Sequence, residues 1–131
     1  MMSVRTILTL LSLLTALVLS GCSAVDRQQA GVCVAVATAI GPENRAISVR
    51  SVVPLVGIPH ALRGEFSAAG DPAPHFADCV FAGGVLDAGR GEVIAVRGDR
   101  GVLDDREMAN LRRWFLDQPG AIAAAIDETN F

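Results

Sequence analysis

The stretch GVCVAVATAI, residues 31–40, decides how the rest of the chain is read. Val32, Val34, Val36 and Ile40 share one parity, and Cys33, Ala35, Ala37 and Ala39 share the other. Strict alternation with β-branched residues on one side predicts a β-strand. The small residues on its second face would let another element approach closely. Gly41-Pro42-Glu43-Asn44 then reads as a turn.

Working downstream, AISVRSVV (46–53) alternates again and stops at Pro54, which predicts a second strand. Residues 55–66 fit two patterns. Leu62 and Phe66 suit a strand face with Arg63 and Glu65 outside, and they also stand one helical turn apart; Gly64 favours the strand. Residues 67–75, with Pro72 and Pro74, read as an extended loop. HFADCVFAGGVL (75–86) and EVIAVR (92–97) read as strands joined by the glycine-rich Asp87-Ala88-Gly89-Arg90-Gly91.

The period then changes. Residues 104–116 predict a helix, with Asp104 and Glu107 spaced as a capping box. Acids lie at its start and Arg112 and Arg113 near its end, as the helix dipole favours. Met108, Leu111 and Phe115 form its apolar stripe, with Trp114 on the edge. Residues 117–128 predict a second short helix, with Pro119 in the first turn and Ile122 and Ile126 on one face. The expected architecture is therefore α+β: an antiparallel meander of four to five strands, then one or two C-terminal helices packed on one face.

Upstream of residue 31, Arg5 precedes a 13-residue run from Ile7 to Leu19 broken only by Ser and Thr. A spanning helix needs about 20 residues, so this run predicts a secretory signal instead. Leu19-Ser20-Gly21-Cys22 resembles the lipobox of bacterial lipoproteins at all four positions. The resemblance covers residues 1–22 only. It implies removal of 1–21, a diacylglyceryl group on the Cys22 sulfur, and acylation of the new amino terminus. Ser23, where an Asp would mean inner-membrane retention in enteric-type sorting, favours the outer membrane. Two or more acyl chains hold a protein stably. Residues 22–30 read as a tether reaching roughly 30 Å when extended, ahead of a single domain over 31–131.

With Cys22 lipidated, Cys33 and Cys79 remain, an even count. In an oxidising compartment they are expected to pair. The absence of a Cys-x-x-Cys spacing argues against redox catalysis.

Composition excludes several chemistries. All 11 basic residues are arginine, so no lysine Schiff base can form. After cleavage 10 arginines stand against 14 acids, a formal −4, which disfavours nucleic acid as a partner. His60 and His75 lack the spacing of a zinc site. There is no Gly-x-Ser-x-Gly elbow, and Asp71, Asp78 and Asp87 read as solvated acids. Arg97-Gly98-Asp99 reads as a tight turn, because the calcium-loop oxygen pattern is missing. No cofactor and no metal is implied.

Two surfaces stand out as candidate binding regions. One is the loop from Gly57 to His75, carrying Pro59, His60, Phe66, Pro72, Pro74 and His75. The other is the C-terminal segment around Trp114, Phe115, Ile122 and Ile126. It reads first as core, but an exposed Trp114 would anchor a protein partner. The expected role is a non-catalytic accessory module in the cell envelope, lipid-anchored through Cys22 and bound to another envelope protein. The alternatives are a small-ligand carrier with its pocket between sheet and helices, and an envelope hydrolase using His60 or His75.

Overall fold

The computed structural model describes residues 25–43 and 45–117. The signal segment, Cys22 and the helix expected over 117–128 therefore lie outside the described residues, apart from Asp117. Five antiparallel strands form one sheet in the order β1-β2-β3-β4-β5: Ile47–Pro54, Ala61–Ala68, Asp71–Phe81, Val93–Gly98 and Gly101–Val102. The antiparallel meander expected from the sequence is observed, but it begins at Ile47 and gains β5 at Gly101–Val102, where only a turn was expected. Helix α1 spans Arg27–Ile40, and α2 spans Asp105–Leu111 and runs into a π-helical turn at Arg112–Leu116. The fold is α+β.

The stretch 31–40 is helix, not strand, and this corrects the first step of the sequence reading. Every residue from Gln29 to Ala37 is buried. Sheet residues cover one side of α1 and the C-terminal helical segment touches another. A helix buried on most sides needs no polar face, so its apolar residues need not recur every 3.6 positions. Valines on one parity and small residues on the other then look like a pleated strand. Asp26 caps the start by accepting from the Gln28 amide, and Gly41-Pro42 ends the helix. Residues 27–30, assigned to the tether, belong to the first turn.

The inner face of the sheet is set by alternation. Leu62, Phe66, Ala77, Cys79, Phe81 and Val96 are buried beneath α1. Gly64 and Ala77 face each other across β2 and β3, and a Cβ on Gly64 would stand 3.9 Å from the Cys33 sulfur. That is an ordinary van der Waals distance; the close approach is at Gly98 on β4, where a Cβ would stand 2.8 Å from Ile40 Cδ1 at the end of α1. Cys33 and Cys79 are joined by a disulfide, 46 residues apart in sequence. It ties the helix to β3, and not two strands to each other.

The expected loop from Gly57 to His75 is also corrected. It contains all of β2, a two-residue turn at Ala69-Gly70 with Gly70 at φ 76°, and the start of β3. Pro72 and Pro74 sit in β3 without breaking it. β4 pairs with β3 only from Ala77 onward, so the prolines lie where one edge of β3 is unpaired.

On the outer face, Asp78 stands across from Arg63 on β2 and from Arg97 on β4. Arg63 Nε and Nη2 donate to its two oxygens at 2.7 and 2.9 Å, and Arg97 adds bonds at 2.9 and 2.6 Å. The Arg63 guanidinium also lies 4.6 Å from the centre of the Phe76 ring. Asp78 is thus a buried, doubly paired acid and not the solvated one expected. This side of the sheet has no helix over it among the described residues, and the ladder keeps its one buried charge compensated.

Candidate binding cleft

The C-terminal end of α1, the inner face of β2 and β3, the β4–β5 turn and the helical segment after it enclose an open cleft of about 950 Å³. Its apolar wall is Ile40, Phe66, Leu103, Leu111, Trp114 and Phe115. Its polar rim carries Glu43, His75, Asp99, Arg100, Glu107 and Asn110.

The wall owes its exposed aromatics to a change in helix type. Asp104 accepts from the Glu107 amide at 2.8 Å and Glu107 accepts from the Asp104 amide at 2.8 Å, so α2 begins in the expected capping box. Met108 and Leu111 are buried. A continuous α-helix would next bury Phe115. Instead the Asp117 amide donates to the Arg112 carbonyl at 2.8 Å, five residues back, which widens the turn. The stripe slips by one residue. Leu116 packs against the core, while Trp114 and Phe115 remain 59% and 43% exposed. Reading these two as core is thus overturned by the π turn.

His75 forms the polar pole of the cleft. Its ring stacks on Phe66 with centroids 5.4 Å apart. Nε2 meets Asp71 Oδ2 at 2.8 Å, and Nδ1 meets Asp99. The hydrogen bonds to Asp99 first, and then to Asp71, hold the imidazole pKa above its ordinary value. Asp71 is held below its ordinary value by the Ala73 amide and then by His75. Because both ring nitrogens are occupied by carboxylates, neither is free to take a proton from a nucleophile. The imidazole stands between the two acids, and among the described residues no group of three His, Cys, Asp or Glu is arranged to hold a metal ion.

The seven candidate binding residues thus separate. Phe66, His75 and Trp114 meet in the cleft. Pro72 and Pro74 are exposed on β3, with the parity of the outer face. Pro59 and His60 lie at the opposite end of the sheet, where His60 adopts φ 54° and its carbonyl accepts from the Phe81 amide at 2.8 Å. Sequence reasoning missed Ile40, Leu103, Asp99 and Asn110 as cleft residues. Asp99 had a signal, since a turn that follows a strand beside His75 would bring its carboxylate near; Ile40 had none once α1 was read as a strand.

Comparison with protein-family models, with curated protein sequences and with solved structures finds no match to this chain.

Proposed function

We propose that the chain is a lipid-anchored envelope protein whose folded domain is a binding module for another envelope protein, engaged through the cleft. The observation that carries this reading is the pair Trp114 and Phe115, left exposed beside a charged rim. Aromatic anchors bordered by polar groups are the usual energetic centre of protein interfaces. The lipobox resemblance at Leu19–Cys22 supplies the location. A photo-reactive aromatic residue at position 114 in cells is expected to capture a specific envelope protein that the same residue at Val102, on the outer face, does not. Equal adducts from both positions, or none from 114, would remove the reading.

A second reading rests on the size of the cleft. About 950 Å³ lies within the range that holds small molecules. A stoichiometric small compound that leaves the purified protein when Trp114 becomes Ala would favour a carrier.

A further inference from the structure

At the other end of the domain, four large apolar side chains project outward. Val56 and Ile58 lie in the β1–β2 connection; Val85 and Leu86 lie in the β3–β4 connection. Val56 is 95% and Leu86 98% exposed. In a meander these two connections share one end of the sheet, and the contacts agree. The Phe81 amide bonds to the His60 carbonyl, and the His60 ring lies against Gly84.

The N-terminus of α1 is held at this same end. Gln29 Nε2 donates to the carbonyls of Gly83 and Arg90 at 3.0 and 2.9 Å. Arg90 pairs with the helix cap Asp26 at 3.0 Å. Only Ser23, Ala24 and Val25 separate Cys22 from Asp26. At full extension that span reaches roughly 14 Å. A lipid on Cys22 would therefore hold this end, and not the cleft end, within one short step of the bilayer. The segments LVGIPH (55–60) and AGGVL (82–86) carry no Asp, Glu or Arg. The carboxylate of the exposed Asp87 that follows the second is turned back onto the Gly84 amide at 2.7 Å, which leaves the four apolar tips to enter the headgroup region.

We propose that this end of the domain docks on the phospholipid surface, with Val56, Ile58, Val85 and Leu86 seated at the headgroup–acyl boundary. The proposal rests on the lipidation of Cys22. It turns the cleft away from the membrane, because α1 runs about 21 Å from one end to the other.

The test uses the full chain, processed in its host, with the mass of its N-terminus measured. It is then placed in phosphatidylethanolamine–phosphatidylglycerol vesicles with brominated acyl chains. Leu86→Trp and Val56→Trp are each made with Trp114→Phe, and the native chain reports on Trp114. Tryptophan at 86 and 56 is expected to shift to the blue and lose most of its emission to the brominated lipid, while Trp114 keeps its emission. An acylated, vesicle-bound chain whose tryptophans at 86 and 56 are quenched by aqueous iodide and not by bromine would overturn the docking and leave the anchor intact. Shielding from both quenchers would mean contact with a second copy, and would also overturn it. An unmodified Cys22 would remove the anchor and this proposal together.

Discussion

Cys33, in the middle of α1, is covalently joined to Cys79, in the central strand β3, and both are fully buried. The bond crosses the interface between the helix and the sheet, so it constrains the two layers whose packing makes the core. In the chain-entropy account a closed loop of this length stabilises by about 4 kcal/mol. Cys33→Ala with Cys79→Ala is expected to lower the urea unfolding free energy by that order, and reductant should do the same to the native chain. A loss below about 1 kcal/mol would mean that the packing alone fixes the helix on the sheet.

The Asp78 ladder makes a prediction whose sign depends on pH. Burial pushes the Asp78 carboxyl up, and hydrogen bonds from Arg63 and then Arg97 outweigh it, so the native pKa lies below the ordinary value. A depressed carboxylate stabilises above its unfolded pKa and loses that contribution as pH falls through the native one. Arg63→Ala with Arg97→Ala leaves burial as the dominant influence and reverses the slope. The double variant is expected to be weaker than wild type by on the order of 2 kcal/mol at neutral pH, and less so in mild acid. Parallel pH–stability curves would contradict this.

His75 gives the opposite window. Its native pKa is raised by Asp99 and Asp71, so its contribution is complete below the unfolded value near 6.5 and fades as pH rises through the native one. Arg45 beside Asp71, and Arg100, Glu43 and Glu107 around the cleft, share its surroundings. Urea titrations from mildly acidic to mildly alkaline pH should show wild type losing stability relative to His75→Gln only above that unfolded value. A constant difference would show that the ring's stacking on Phe66, and not its charge, matters.

His60 occupies a left-handed backbone conformation at φ 54°. Glycine adopts it freely, whereas a β-branched residue is strained there. His60→Gly is expected to leave stability unchanged or raise it by up to about 1 kcal/mol, and His60→Val to lower it by about 1–2 kcal/mol. Thermal unfolding of the two variants checks this.

Some of this was legible in the residues. The alternation of Ile47–Val53, the Leu62 and Phe66 face, Cys79 and Val96 inward with Asp78 and Arg97 outward, and the Asp104–Glu107 box all follow from period and chemistry. Helix α1 was not read, because Val32 to Ala37 are apolar on every side and periodicity carries no information there. Its length, with Asp26 at one end, Gly41-Pro42 at the other and only the single Gly31 between them, was the evidence for a helix. The cleft was half legible. Phe66, His75 and Trp114 were singled out from their types, but a π turn that moves Leu116 inward and Phe115 outward leaves no mark in a 3.6-residue pattern.

Location, and the outward placing of the cleft, all depend on what stands at the start of the finished chain. Intact-mass analysis of protein purified from its own membranes addresses this directly. The account predicts a first residue of Cys22 bearing a thioether-linked diacylglycerol and an acylated amine. A free thiol at position 22, or a chain that still begins at Met1, would contradict it.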